Sequence, residues 1–139
     1  MVSDNIRSAL LNTLTNSRDH QLKIIREFSR KSNNSKEIDL LNSKYITIFL
    51  WDIIYYVAAG NYDGRNVSVS DIYLSLGVSK STAIRCVTML EEFGILEKAR
   101  DPNDRRRAVI ALSPAFAGEF DGFVDRMYLR FSDIARRPE

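Results

Sequence analysis

The sequence contains one cysteine, Cys86, and one histidine, His20. A single cysteine excludes a disulfide within the chain and fits a reducing compartment. Two such residues are too few for a zinc cluster of the usual ligand types. The sequence also lacks a P-loop, a G-x-G-x-x-G segment and a G-x-S-x-G segment. We therefore expect no metal, no cofactor and no catalytic residues, and we predict that the protein is not an enzyme.

Long apolar runs are missing as well. The densest one, residues 45–59, contains Asp52 and is 15 residues long, whereas a helix needs about 20 apolar residues to cross a bilayer. Residues 1–30 alternate charged and apolar side chains and contain no hydrophobic segment of the signal-peptide type. We expect a cytoplasmic protein with no membrane partner.

A capped amphipathic helix is predicted to begin just after residue 78. The side chain of Ser79 can accept a hydrogen bond from the backbone N–H of Ser81 or Thr82, as an N-cap does. Cys86 is expected to lie near the core face of this helix, beside Ile84 and Val87, as an inert filler. Apolar residues at helical spacing predict that core face: Ala83, Cys86, Val87, Leu90 and Phe93.

The opposite face of this helix combines short hydroxyl side chains with basic ones: Lys80, Ser81, Thr82, Arg85 and Thr88. Small polar side chains and an arginine fit the major groove of DNA and reach the base edges. A merely solvated helix face would usually contain more Glu and Lys. The pattern favours a DNA-reading helix, with an ordinary surface face as the alternative.

A β-hairpin is predicted directly after this helix. Gly94 occupies the position where a left-handed residue ends a helix. Residues 95–99 (ILEKA) and 107–113 (RAVIALS) have the composition and alternation of strands. Between them Pro102 presets φ for a turn, and Asp101 and Asn103 can bond to the nearby backbone. The two strands are therefore expected to pair.

The hairpin concentrates positive charge. Its residues 98–107 contain five basic residues against two acidic ones: Lys98, Arg100, Arg105, Arg106 and Arg107 against Asp101 and Asp104. This segment therefore carries +3, while the whole chain carries only +2. Such a concentration is typical of a surface that binds phosphate groups.

The hairpin resembles the wing of the MarR family of winged helix-turn-helix repressors. That wing has the approximate pattern Asp-x-Arg-Asp-x-Arg, then a small residue and a strand that ends in Leu-Thr. Asp101, Asp104 and Arg106 match it, Asn103 replaces its first Arg, and Ser113 stands in place of the Thr. By this resemblance Asp101 and Asp104 would stabilise the wing, Asp104 would hold Arg106, and Arg106 would enter the minor groove.

Two helical segments are predicted before the reading helix. Residues 5–31 have helical periodicity, but poor helix formers at residues 15–17 predict either two helices or one bent helix. Residues 32–35 (SNNS) predict a linker. Ser43 is expected to cap a helix of residues 44–59, which is apolar all round and therefore predicted to be buried at the centre of the fold.

A helix-turn-helix order is predicted from residue 67 onward. Residues 67–69 predict a short strand that pairs with the wing. Ser70 is expected to cap a short helix of residues 71–76, and Gly77 supplies the tight turn before the reading helix. Short helix, glycine turn and longer helix is the order of the DNA-binding helix-turn-helix.

Ser113 and Pro114 open the last predicted helix, since proline is favoured at the first helical position. A stripe of large apolar side chains follows at spacings of three and four: Phe116, Phe120, Phe123, Met127, Phe131 and Ile134. Such a stripe is too apolar to leave in water. The N-terminal helix of the same chain or a second subunit would cover it. We favour the second, and predict the first five of these residues as a dimer interface.

The sequence thus predicts one domain over residues 1–139, because 45% apolar content at this length suffices for a single core and not for two. Its fold class is mainly α with a small antiparallel β-wing. The winged helix-turn-helix occupies residues 43–112. Dimerisation helices occupy residues 1–42 and 113–139.

We interpret the protein as a sequence-specific, double-stranded DNA-binding transcriptional regulator that acts as a homodimer. Ser81, Thr82 and Arg85 would read bases, and Ser79 and Lys80 at the helix start would contact phosphate. The arginines of residues 105–107 would hold the backbone and the minor groove. A two-fold dimer would place two reading helices about 34 to 36 Å apart, one duplex turn.

Two alternatives remain open at this stage. The resemblance implies that Trp51, Tyr55 and Tyr56 line a pocket for a small aromatic effector, although plain core packing explains the same residues. Some winged helices act as protein-interaction modules without sequence-specific DNA binding, and a net charge of only +2 is compatible with that function.

Overall fold

The structure is a computed structural model that describes residues 2–30 and 44–138. The predicted linker at residues 32–35 and the predicted N-cap Ser43 lie outside the described residues. Within the described ranges the chain forms five helices and one two-stranded sheet, and the predicted fold class is confirmed. In order these are α1 (Asp4–Ser29), α2 (Lys44–Tyr62), α3 (Val69–Leu76), α4 (Lys80–Glu92), β1 (Leu96–Arg100), β2 (Ala108–Leu112) and α5 (Pro114–Ala135).

Helix α1 is a single helix that runs without interruption through residues 15–17. Ser3 caps its start by accepting from the backbone N–H of Ile6 at 3.3 Å. Thr15 donates to the Leu11 carbonyl at 3.0 Å and Ser17 to the Leu14 carbonyl at 2.7 Å. These hydroxyls bond to the preceding turn instead of breaking the helix. The prediction of two separate helices is therefore wrong, and the one-helix alternative holds.

Helix α2 extends to Tyr62, three residues beyond the predicted end at residue 59. Gly60 lies inside it, and the side chain of Val67 packs directly against this glycine, where a Cβ would overlap a Val67 methyl group. The helix is central, but the prediction that it is buried all round is wrong. Its core face is fully buried at Leu50, Ile53, Ile54 and Val57, whereas Ile48 and Tyr55 are 47% and 41% exposed.

The N-cap of α3 is Ser68, not the predicted Ser70. The backbone N–H of Asp71 donates to Ser68 Oγ at 3.2 Å, and the backbone N–H of Ser68 donates to Asp71 Oδ2 at 2.9 Å. This reciprocal pair is a capping box, which requires the acidic residue three positions after the cap. The strand predicted at residues 67–69 is reduced to one bridge, in which the Ile110 N–H donates to the Val67 carbonyl at 2.7 Å.

The turns on both sides of α4 are formed by left-handed glycines. Gly77, with φ of 68°, ends α3 and turns the chain into α4. Gly94, with φ of 75°, follows α4, and the next N–H, of Ile95, donates to the Leu90 carbonyl at 2.9 Å. Both conformations favour a residue without a Cβ. The helix-turn-helix order predicted from the sequence is confirmed.

Strands β1 and β2 pair antiparallel from Leu96 opposite Leu112 to Arg100 opposite Ala108. Ser113 joins the end of this hairpin to both neighbouring helices. Its N–H donates to the Ile95 carbonyl at 2.8 Å, its hydroxyl donates to the Gly94 carbonyl at 2.6 Å, and the same hydroxyl accepts from the Phe116 N–H at 3.2 Å. The end of α4, the base of the wing and the start of α5 therefore meet at one residue.

The aromatic residues of α5 belong to the core of the single chain. Phe116, Phe120 and Phe123 are 0%, 4% and 6% exposed, and all three contact the ring of Trp51 at centroid distances of 6.1 to 6.4 Å. Phe28 of α1 covers Phe116 edge-on at 5.2 Å. These three residues are thus covered within the single chain, as the alternative to a dimer interface allowed. Their predicted role as dimer contacts stays a prediction.

In the rest of the predicted α5 stripe, Met127 and Phe131 are only partly buried, whereas Ile134 is 4% exposed. None of the helices in residues 2–30 and 44–138 combines the length and the apolar character that a bilayer crossing requires.

Candidate nucleic-acid interface

Helix α4 presents the polar face that the sequence predicts. Its core face is closed, because Ala83, Val87 and Leu90 are fully buried. The side chains predicted to point outward are all exposed: Lys80, Ser81, Thr82, Arg85 and Thr88. Cys86 is buried on the inner side, where burial raises the pKa of its thiol. The cysteine is therefore a core residue and the thiol stays protonated at neutral pH.

The start of α4 is ordered by a set of hydroxyl contacts. Ser79 is the N-cap and accepts from the Thr82 N–H at 3.2 Å. Ser79 Oγ also donates to Thr82 Oγ1 at 2.8 Å and lies 3.2 Å from Ser81 Oγ. Three hydroxyls thus converge at the helix N-terminus, where the helix dipole favours a negatively charged partner.

Ile84 was assigned to neither predicted face of the helix, although Cys86 was expected beside it near the core face. Its side chain is 41% exposed. It follows Ser81 by three residues and precedes Thr88 by four, so it shares their face of the helix. Its neighbours Ala83 and Val87 are fully buried on the core face.

The two aspartates predicted to stabilise the wing both bond to its backbone. Asp101 is only 7% exposed, and its Oδ1 accepts from the Asn103 N–H at 2.8 Å. Asp104 Oδ1 accepts from the backbone N–H of Arg106 at 3.0 Å, so Asp104 holds Arg106 through the main chain. Each carboxylate closes a short turn of its own, the type of contact that Asp makes in turns.

Three of the five basic side chains of the hairpin have partners within the protein. Lys98 Nζ lies 3.1 Å from Glu91 Oε1 of α4, and Arg107 Nη2 lies 2.8 Å from Asp71 Oδ2 of α3. Arg100 Nη1 donates to the carbonyl of Arg105 at 2.7 Å. The role of Arg100 was missed by sequence reasoning, because a bond to a main-chain carbonyl five residues away has no sequence signature.

Arg105 and Arg106 are the two hairpin guanidinium groups that have neither a carboxylate nor a main-chain partner among the described residues. Both are exposed and line a surface groove of the hairpin together with Lys98, Arg100 and Arg107. The free positive charge of the wing is therefore concentrated at its tip.

Asp71 has two structural roles at once. Its carboxylate accepts from the backbone N–H and the hydroxyl of Ser68, both at 2.9 Å, and it pairs with Arg107. The backbone hydrogen bond from Ser68, together with its hydroxyl and the nearby Arg107 charge, lowers the pKa of Asp71 from its ordinary value. Asp71 thus stays ionised and connects the start of α3 to the wing.

The residues of the predicted effector pocket lie together but are packed. Trp51 is 4% exposed, and its ring lies 5.6 Å from that of Tyr55 and close to the α5 phenylalanines. Tyr56 packs against the same core. The indole Nε1 of Trp51 is buried without a hydrogen-bond partner among the described residues. No group of three or more potential metal ligands occurs in the described part of the chain.

The comparisons with known proteins agree with this geometry. The family model described as MarR family matches residues 62–108, which include α3, α4, β1 and the wing tip. The resemblance predicted from the wing is therefore confirmed for this segment. No curated protein matches the sequence.

Solved structures share the fold over most of the chain. A MarR-like transcriptional regulator from Thermotoga maritima is 16% identical, with a TM-score of 0.56 over 100% of this chain and 84% of that one. The S. aureus MepR–DNA complex is 18% identical, with a TM-score of 0.55 over 91% and 86% of the two chains. A second T. maritima transcriptional regulator is 22% identical, with a TM-score of 0.51 over 81% and 72%.

Proposed function

We propose that this winged helix-turn-helix protein, whose residues 62–108 match the MarR family, is a sequence-specific double-stranded DNA-binding transcriptional regulator. The observation that carries the proposal is the combination of an exposed polar face on α4 with the two arginines at the wing tip that no described carboxylate neutralises. A helix in the major groove reads bases, and a basic wing beside it binds the backbone. The S. aureus MepR structure, which was solved with DNA, supports this function for the shared fold.

Each predicted contact has a distinct task in this proposal. Arg85 is long enough to reach a guanine edge, and the shorter Ser81 and Thr82 side chains bond to nearer base edges or phosphate. Lys80 and the hydroxyls at the start of α4 bind phosphate. Arg105 and Arg106 bind the backbone or the minor groove beside the recognised bases. Neither the paired Arg107 nor the paired Lys98 is assigned a direct contact.

The regulator is proposed to act as a homodimer in the cytoplasm. Large apolar side chains remain exposed on the two terminal helices: Leu11 and Leu14 of α1, and Val124, Tyr128 and Leu129 of α5. Leu11, Tyr128 and Leu129 are more than 60% exposed, and apolar side chains grouped on neighbouring helices favour association. These residues replace the buried phenylalanines as the proposed interface, and a two-fold axis there would present two copies of α4 to one duplex.

The proposed site for a small aromatic effector lies beside the Trp51 cluster. The ring system there offers stacking partners, and the unused Trp51 N–H offers a hydrogen-bond donor. Tyr55 is 41% exposed and would form the entrance.

Selection of bound sequences from a random duplex pool tests the function directly. We expect a two-fold symmetric consensus, because a homodimer reads two half-sites about one duplex turn apart. Binding to that consensus should weaken by about a thousandfold or more between 50 and 200 mM salt, as expected for six or more phosphate contacts. Absence of enrichment, together with binding that ignores salt, would contradict the proposal and favour the protein-interaction module.

A further inference from the structure

We infer that Ile84 is a specificity-determining residue that contacts the C5-methyl group of a thymine in the recognised sequence. The inference rests on the proposed function and adds an apolar contact to the polar ones already assigned. Ile84 is the one large apolar side chain of α4 that is exposed. Its neighbours on the same face are Ser81, Arg85 and Thr88, which are polar and exposed.

The position of Ile84 is not explained by the fold. The core below α4 contains Ala83, Val87 and Leu90 at 0% exposure, and Ile84 is not part of that cluster. Isoleucine is also a weaker helix former than the Ala, Lys or Glu residues usual at an exposed position, because its branched Cβ loses rotamer freedom. A surface position that serves helix stability alone would favour those residues.

The chemistry of the major groove supplies a partner of the right kind. The thymine C5-methyl is the apolar group that a base pair presents there, and apolar side chains recognise it by contact. Ile84 is held to few rotamers, so its methyl groups occupy a fixed place on the helix surface at little further cost in entropy. With Arg85 beside it, α4 can distinguish a thymine next to a guanine from other pairs of bases.

Removal of single methyl groups from the DNA provides the test. The duplex selected from the random pool is prepared with each thymine replaced in turn by deoxyuridine, which removes only the C5-methyl. Fluorescence anisotropy then gives the dissociation constants for the wild type. We expect one thymine of each half-site to matter, with binding weakened about fourfold per site, the effect of returning one methyl group to water.

Protein variants assign that effect to Ile84. Ile84→Ala should bind the thymine duplex more weakly and bind the thymine and deoxyuridine duplexes equally. Ile84→Val should retain part of the difference. The matched control is Leu74→Ala, which removes an apolar side chain that is 73% exposed on α3 and should keep the full difference between the two duplexes. Thermal unfolding of each variant verifies that the exposed substitutions leave the fold intact.

The possible outcomes separate the inference from the proposed function. A wild type that prefers its consensus but tolerates deoxyuridine everywhere would overturn the inference and leave the function standing. Methyl sensitivity that persists in Ile84→Ala would overturn it too, because another residue would then make the contact. A wild type with no sequence preference at all would overturn both.

Discussion

Arg107 at the end of the wing turn forms an ion pair with Asp71 in the first turn of α3, with Nη2 and Oδ2 2.8 Å apart. The two residues are 36 positions apart in the sequence. Because Asp71 is also the acidic member of the capping box with Ser68, the pair attaches the wing to a fixed point of the helix-turn-helix. Arg107 therefore orients the wing relative to α4.

Arg107→Ala and Asp71→Asn are expected to weaken specific DNA binding by similar factors, about threefold to tenfold, as for a partly exposed interaction. The amide introduced by Asp71→Asn would still accept from Ser68 but would lack the charge that holds Arg107. The double variant should bind no more weakly than either single one, since both remove the same contact. Dissociation constants for the wild type, the two single variants and the double variant complete this double-mutant cycle. If Arg107 contacted phosphate instead, Asp71→Asn would bind as tightly as the wild type or more tightly.

Arg105→Ala and Arg106→Ala should act through the backbone charge of DNA. Each removes one unpaired cation per subunit, so the slope of log K against log salt should fall by about 0.9 for each lost phosphate contact. Sequence preference should change little. Arg107→Ala is the matched control, because its guanidinium is already paired and its loss should leave the slope unchanged. Equal slopes for the wild type and the three variants would show that the wing arginines do not contact DNA phosphates.

Acidification should destabilise the protein partly through Asp71. The backbone hydrogen bond from Ser68 and the Arg107 charge lower the pKa of Asp71 below 3.8, so the native state holds its proton less tightly than the unfolded chain does. The stabilisation is complete above the unfolded pKa and is lost as pH falls through the folded one. Urea denaturation measures the free energy of unfolding between pH 6 and pH 2.5. This free energy should fall less with acidification in Asp71→Asn than in the wild type. Asp63→Asn, at a carboxylate that is 64% exposed, should behave like the wild type.

Alanine should have opposite effects at two glycines that both have open space for a Cβ. Gly94 has φ of 75°, so Gly94→Ala should lower the free energy of unfolding by about 1 to 2 kcal/mol. Gly118 lies within α5, and Gly118→Ala should raise it by about 0.5 to 1 kcal/mol through helix propensity. Urea denaturation measures both. A stable Gly94→Ala variant would show that the end of α4 tolerates another backbone conformation.

Two α5 substitutions should separate association from folding. Leu129 is 63% exposed, and Leu129→Asp should convert the proposed dimer to a monomer with little loss of helical structure. Phe116 is fully buried, and Phe116→Ala should cost about 3 to 5 kcal/mol of folding stability. Sedimentation over a range of concentrations and thermal unfolding distinguish the two effects. A Leu129→Asp protein that remains a dimer would place the interface elsewhere.

Locally determined features were predictable from the sequence. Ser79 and Gly94 set the bounds of α4 through hydrogen bonds within a few residues, and Pro102 with the wing aspartates defines the hairpin turn. The predicted start of α3 was wrong, because Ser68 and Ser70 are both competent caps. The position of Asp71, three residues after Ser68, decides between them.

Features that depend on distant residues were not predictable. Spacing showed that Phe116, Phe120 and Phe123 share a face, but not that Trp51 of the same chain covers it. Helix α2 continues through Gly60, and the contact of this glycine with Val67 has no local sequence pattern. The sequence did not reveal that Arg107, one of the predicted DNA contacts, pairs with Asp71, because only the three-dimensional structure brings those residues together.

Ser113 gives the molecule a mechanical property. Its backbone N–H and its hydroxyl bond to the carbonyls of Ile95 and Gly94, which directly follow α4. Its hydroxyl also caps the first turn of α5. A swing of α5 about its own start would have to break these three bonds or carry α4 and the wing along. A movement of α5 is therefore expected to be coupled to α4 and to the wing through Ser113.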